Sequence, residues 1–343
     1  MLEGAVEVIL TNARDAKGYK ARKTDVIDAE WLADLLRHGL LKPSFIPPRP
    51  IRELRELTRY REGRVREQTT LANRMQKLSE SANIKLGQVA REALGASGKL
   101  MLRALATGET DAEQLSHLAK GPLKRTQPQL QQALAGRFTQ AQRWILTELL
   151  DQYEQVEAAL QRVAERIRQE VENSADPFVP DAVQLLDTIP GVGETVAQII
   201  VAEIGADMER FPTAHDLASW AGMCPGNNES AGKRKSGKTT TGSRYWRAAL
   251  VQAAWAASHQ QETYLAAQDK RLVKRRGKKK ALVAVGHSIL VMVYHLLQKP
   301  TPYQALGGDY FAQRNVDQQR KRLIRQLESL GVKVTVEEIK EAA

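Results

Sequence analysis

Residues 185–204, LLDTIPGVGETVAQIIVAEI, restrict the fold more than any other stretch of the chain. Leu185, Leu186 and Ile189 are spaced for one apolar helix face, and Val196, Ile199, Ile200 and Ile204 for a second. Between them, Pro190, Gly191 and Gly193 permit a turn tight enough to bring the second helix back against the first. The spacing predicts a helix–tight turn–helix whose second helix opens with accessible backbone N–H groups. Such groups, with the helix dipole, hold a phosphate without reading a base. The same pattern also serves as a plain connector, because two helices joined by a short turn favour glycine there.

The segment that follows, NNESAGKRKSGKTTTGSRYWR at 227–247, reads as a loop of small, hydroxyl-bearing and basic residues. A serine attacks a phosphodiester only if its oxyanion is stabilised and the phosphate charge is screened. Ser230 has Gly232 and Gly237 for close backbone approach, and Lys233, Arg234, Lys235, Lys238, Arg244 and Arg247 for positive charge. Ser236, Thr239, Thr240, Thr241 and Ser243 are rival hydroxyls. On chemistry alone, a solvated backbone-binding loop is the commoner use of such a segment.

Charge placement agrees with a polyanionic partner. The chain carries 51 Lys+Arg against 40 Asp+Glu, a formal +11, and RLVKRRGKKK at 271–280, with Lys274, Arg275 and Arg276, has seven basic residues in ten. A single cysteine, Cys224, excludes an internal disulfide framework and fits a reducing cytoplasm. The opening residues show no secretory pattern. The apolar run at 281–297 falls short of a membrane span and reads as a buried helix, so no membrane partner is expected. The histidines lack metal-ligand spacing, and no GxxxxGK[ST] occurs, so neither a zinc site nor an NTPase is indicated.

Along the chain, AVEVIL at 5–10 reads as a short buried strand, and residues from Asp25 to His38 as a helix with Ile27, Trp31, Leu32, Leu35 and Leu36 on one side. In KTDVIDAE, Asp25 and Asp28 fall one turn apart and project to the same side. They suit either Mg²⁺, a hard cation taking one or two carboxylates, or the capping of a helix start. Four prolines mark 43–50 as a linker or domain edge. A long amphipathic helix follows over 51–84, then a broken stretch. Leu149, Tyr153, Val156, Leu160, Val163 and Ile167 then repeat as a coiled-coil seam. That seam is served equally by an internal antiparallel hairpin of 51–84 with 139–172 or by a dimerisation arm.

Three separated stretches, KTDVIDAEWLADLLRHGLL, the PGVG hairpin and HDLASWAGMCPGNNESAGKRKSGKTTTGSRYWR, together resemble transposases of the insertion-sequence one-ten type, from about residue 3 to 300. The resemblance implies an α+β, mostly helical protein. Residues 1–50 would be a partial RNase-H-like (RuvC-like) α/β domain of the DEDD type, 51–175 a helical coiled-coil region, 176–300 a serine transposase domain with the helix-hairpin-helix, and 301–343 a tail. It also implies DNA strand cleavage and rejoining through a phosphoserine link, Mg²⁺ at the acids, DNA and a bridge RNA as partners, and assembly as a dimer or tetramer. By position, Asp25 and Asp28 match the last two of four acids, and Ser230, rather than Ser236, the nucleophile. Gly191, Gly193, Gly232 and the Lys/Arg residues named above would hold nucleic-acid backbones. The family's first Asp and its Glu precede anything in this sequence, so the chain is expected to begin partway through the RNase-H-like domain. The alternative function is a non-catalytic nucleic-acid-binding copy of such an enzyme.

Overall fold

A computed structural model describes residues 6, 8–11, 16, 24–41, 43–90, 94–225, 228–236, 238–240, 242–313, 316–331 and 333–335. The chain divides into two compact units, one formed by residues 1–52 with 174–343, the other by residues 53–173. Helices dominate both, in line with the expected mostly helical class.

In the first unit, α1 (Asp25–Arg37) is capped by Thr24, whose hydroxyl accepts from the Ile27 amide. Of its apolar residues only Leu35 is buried; Ile27, Trp31, Leu32 and Leu36 are exposed. The expected buried strand over 5–10 is not found among the described residues. Residues 8–10 form no strand, and Val6, Val8, Ile9 and Leu10 are exposed. Beside them Val6 lies in an isolated bridge, Thr11 bridges Pro43, and the Ser44 amide donates to the Leu10 carbonyl. A strand gains stability from neighbours, and isolated bridges supply little.

The second unit holds most of α2 (Arg49–Ser81), then α3 (Leu86–Val89), α4 (Ala96–Thr107), α5 (Ala112–His117), a 3-10 turn (Gly121–Thr126), α6 (Gln127–Leu134) and α7 (Gln140–Glu172). The expected linker over 43–50 ends earlier than its prolines imply, because Pro50 enters the first turn of α2, where its missing N–H costs nothing. A capping box of Thr139 and Gln142 starts α7. Its seam residues Leu149 and Val156 join a core with Leu71, Met75, Met101, Leu105, Leu130 and Leu146, with Tyr153 and Leu160 packed against it. The face beside this core is tied to α4 by Lys99–Glu157 (2.8 Å) and by Arg103 to Asp151 and Glu154 (2.6 and 2.8 Å). So the seam is at least partly used within the chain.

The turn from α2 is pinned to the start of α7. Asn83 adopts φ 59°, the Arg137 amide donates to the Ala82 carbonyl, and Gln142 donates to the Ser81 hydroxyl. Gly136 lies so close that a Cβ there would meet the Ala82 carbonyl oxygen at 2.1 Å.

The rest of the first unit comprises α8 (Phe178–Asp187), α9 (Glu194–Ile204), α10 (Ala214–Trp220), the strands β1 (Asn228–Ser230) and β2 (Lys233–Ser236), then α11 (Arg244–Ser258), α12 (Tyr264–Arg276), α13 (Lys278–Gln298), α14 (Tyr310–Gln313) and α15 (Val316–Ser329). By length and composition α13 could cross a membrane. Here it is packed by α8, α10, α11 and α12, with Ala281, Val285, Ile289, Leu290 and Val293 fully buried. Gly286 lets it approach the Leu250 carbonyl of α11. Beside it, Cys224 Sγ lies 3.9 Å from His215 Nδ1, and burial pushes the thiol up, away from reactivity. Burial, helped by the charge of His215, holds the His287 imidazole below the ordinary histidine range.

Two outcomes follow from this packing. Gly136→Ala should cost about 1–3 kcal/mol, since backbone must shift, while Gly63→Ala, on the open side of α2, should be neutral or stabilising. Denaturant unfolding of both variants checks this, and equal stabilities would contradict the crossing at Gly136. For His287, below about pH 6.5 the unfolded chain takes up a proton that the folded chain resists, so stability is lost as pH falls. Between about pH 7.5 and 5, His287→Met should therefore lose less stability than the parent; equal losses would contradict a buried neutral imidazole.

Candidate functional site

The helix hairpin of α8 and α9 forms as the spacing predicts, with Ile189, Val192, Val196, Ile200 and Ile204 buried. Its two glycines do different work. Gly191 adopts φ 86°, and a Cβ there would meet the Ala253 carbonyl oxygen at 2.4 Å and the Ala257 nitrogen at 2.6 Å. This glycine is required because the turn sits directly on the backbone of α11. Gly193 is the exposed N-cap of α9, with no side-chain cap and nothing within 4 Å of a Cβ built on it. The helix start is therefore open at Gly193, the arrangement that suits an incoming phosphate. Glu194 in the first turn accepts from the Gln198 side chain at 2.9 Å.

The segment read as a loop around Ser230 is instead a β-hairpin. β1 and β2 pair antiparallel, Ser230 opposite Lys233 and Glu229 opposite Arg234, with a bulge before Glu229. Ala231 (φ 51°) and Gly232 (φ 72°) make the two-residue turn, both in the left-handed region that such turns demand. Ser230 thus occupies the last strand position before the tip, where the backbone is held by its pairing, and Lys233 across from it is exposed. Arg234, Lys235 and Ser236 continue β2. Gly237 and Thr241 lie outside the described residues.

The base of the hairpin is anchored in the core. A Pro225–Thr239 bridge and the Thr240 amide donating to the Cys224 carbonyl extend the pairing. Gly222 (φ 68°) and Gly242 cross so tightly that a Cβ on either would fall within 2.5 Å of the other strand's backbone. Ser243 then caps α11. Arg247 donates to the Gly222 carbonyl at 3.1 Å, so this guanidinium ties α11 to the crossing. Arg244 lies over the Tyr245 ring and donates to its hydroxyl at 2.8 Å. Lys238 is exposed, as are Lys274, Arg275 and Arg276 in the last turn of α12. There they also offset that helix's dipole.

Asp25 and Asp28 stand exposed in the first turn of α1. The capping function is taken by Thr24, which leaves both carboxylates unneeded as caps, and neither side chain bonds a described residue. Two exposed carboxylates one turn apart are a donor set that Mg²⁺ accepts, completed by water or phosphate oxygens. Among the described residues no group of three or more His, Cys, Asp or Glu forms a fuller metal cluster.

Sequence reasoning missed the hairpin turn, because alanine at positive φ is a weak signal. It also missed the structural engagement of Arg247, whose partner lies twenty-five residues away.

Two family profiles match the chain. That of the transposase IS116/IS110/IS902 family covers residues 183–268, from within α8 through the Ser230 hairpin into α12. A second transposase profile, of the DEDD type found in IS110 elements, covers residues 2–83, including Asp25 and Asp28. No curated protein matches the chain. With both profiles in the order that the three motifs require, the chain belongs to the IS110 family of transposases.

Proposed function

We propose that this transposase cuts and rejoins DNA with Ser230 as nucleophile. The observation that carries the reading is the position of Ser230 at the last paired residue of a tight hairpin, opposite the exposed Lys233. Cross-strand pairing fixes the backbone that carries Ser230 before substrate arrives, and the neighbouring Lys233 ammonium screens the phosphate. Ser230 Oγ attacks phosphorus, the P–O bond to one strand end breaks, and that end leaves as an alcohol carrying the proton. A second strand's hydroxyl then attacks the phosphoserine, restoring the phosphodiester and returning the proton to Ser230.

In this reading residues 1–50 belong to an RNase-H-like domain whose Asp25 and Asp28 hold Mg²⁺. The ion, when bound, supplies positive charge to the reacting phosphate. Residues 51–175 act as a coiled-coil arm, residues 176–300 as the serine domain, and 301–343 as a tail. The open α9 start at Gly193, with Lys233, Arg234, Lys235, Lys238, Arg244 and the Lys274–Arg276 turn, grips nucleic-acid backbones. Arg247 and Gly191 position those elements from within the fold. In this reading DNA and a bridge RNA are the partners, a homo-oligomer the working form, and the cytoplasm its place.

A strand-transfer assay with Mg²⁺, flanking-element RNA and joined-end DNA tests the assignment. Ser230→Ala should lower the covalent protein–DNA adduct by more than about a thousandfold and leave nucleic-acid binding intact, while Ser236→Ala retains the adduct. Loss with Ser236→Ala alone would move the nucleophile. Binding by the unaltered chain without any adduct would assign it the non-catalytic role instead.

A further inference from the structure

The α12–α13 tip carries a second feature that backbone gripping does not use. Residues 274–280 are exposed, six of the seven are Lys or Arg, and no acid occurs between Asp269 and Asp309. Gly277 (φ 78°) joins the two helices and leaves α13 without a side-chain cap. The tip is bolted to α11 by Lys278, whose ammonium donates to the buried Asp269 carboxylate at 2.9 Å and to the Ser258 hydroxyl at 3.1 Å.

Ser258 sits between the two residues of an aromatic pair. Trp255, 55% exposed, lies against the His259 ring with centroids 4.2 Å apart. His259 is held in place because its Nδ1 meets the Trp255 carbonyl at 2.7 Å. A carbonyl only accepts, so Nδ1 carries the proton there. The indole thus leans on a fixed ring tilted 44° to it, and much of the side chain is left to solvent, while Lys278 of the basic tip reaches the intervening Ser258.

A flat open ring next to dense positive charge fits a base with its phosphate, since every base has a π-face and every linkage a charge. Paired bases are already stacked on both sides, so the base must be unpaired. An anionic membrane would also suit lysines and a tryptophan, but an interfacial surface needs a continuous apolar face. Here the apolar side of α13 is packed inward, and Trp255 meets the polar Ser258 hydroxyl and the His259 ring. We infer that Trp255, backed by His259 and flanked by the Lys274–Lys280 tip, is a stacking platform for an unpaired base of single-stranded DNA or RNA. The inference rests on the nucleic-acid reading above.

Fluorescence anisotropy of oligo-dT, oligo-U and duplex DNA with the full chain tests it. Trp255→Ala should weaken single-strand binding about tenfold and change duplex affinity less than about twofold, and Trp255→Phe should recover most of the loss. Loss with oligo-U alone would make RNA the source of the base; loss with both admits either sugar. Unchanged single-strand affinity in Trp255→Ala, with binding that still falls steeply with salt, would overturn the platform and leave the nucleic-acid reading standing. Equal loss on duplex and single strands, or loss only of binding to phosphatidylserine vesicles, would also overturn it. No binding of any nucleic acid by the parent chain would overturn the underlying reading.

Discussion

The backbone of Gly191 rests on the backbone of α11, and much of the candidate site depends on that contact. A Cβ at Gly191 would collide with both Ala253 and Ala257, and the conformation there has positive φ. The contact is possible because α11 is lined with alanines: Ala249, Ala253, Ala254 and Ala257 are all buried. Short side chains let neighbouring segments come close, which a helix of leucines would prevent. The same helix receives α13 at Gly286, where the Leu250 carbonyl is near, and is tied to the hairpin base through Arg247 and Gly222. At its far end it meets the basic tip through Ser258 and Lys278. One small-residue helix thus fixes the phosphate-suited turn, the foot of the Ser230 hairpin and the cationic tip.

This arrangement changes how the serine is understood. A flexible loop would have to be ordered by substrate, at an entropic cost for each residue fixed. A two-residue turn between paired strands, pinned below by the Gly222–Gly242 crossing, is already ordered. Its charge is likewise sorted. Arg247 is consumed by structure, Arg244 lies on Tyr245, Lys278 is tied to Asp269 and Ser258, and Lys233 and Lys274–Arg276 are exposed. The exposed acids of α1 follow a different rule, since Thr24 takes the capping role and leaves Asp25 and Asp28 to other partners.

The elements legible in the sequence were those set by local pattern. The PGVG hairpin, the apolar face of α7 and the buried α13 each follow from periodicity that their own packing honours. What escaped is set by distant partners. Nothing near Gly191 announces Ala253, and nothing near Arg247 announces the Gly222 carbonyl. The Ser230 segment read as a loop because Ala231 conceals the positive φ that an Asn-Gly pair would advertise. The strand expected over 5–10 is not formed at 8–10 for the opposite reason: its pattern is local, but a strand is stabilised only by neighbours, and the isolated bridges beside it supply little. For the same reason the spacing of apolar residues in α1 identified the helix without burying its face.

The most direct test is amide hydrogen exchange of the full chain with and without duplex DNA. If the elements mounted on α11 form the backbone-binding surface, exchange should slow at Gly193–Ala197, at Ser230–Lys233 and at Lys274–Lys280, while the arm core at Met101–Leu105 is unchanged. Protection confined to the arm, or none at those three segments despite saturating DNA, would contradict the account.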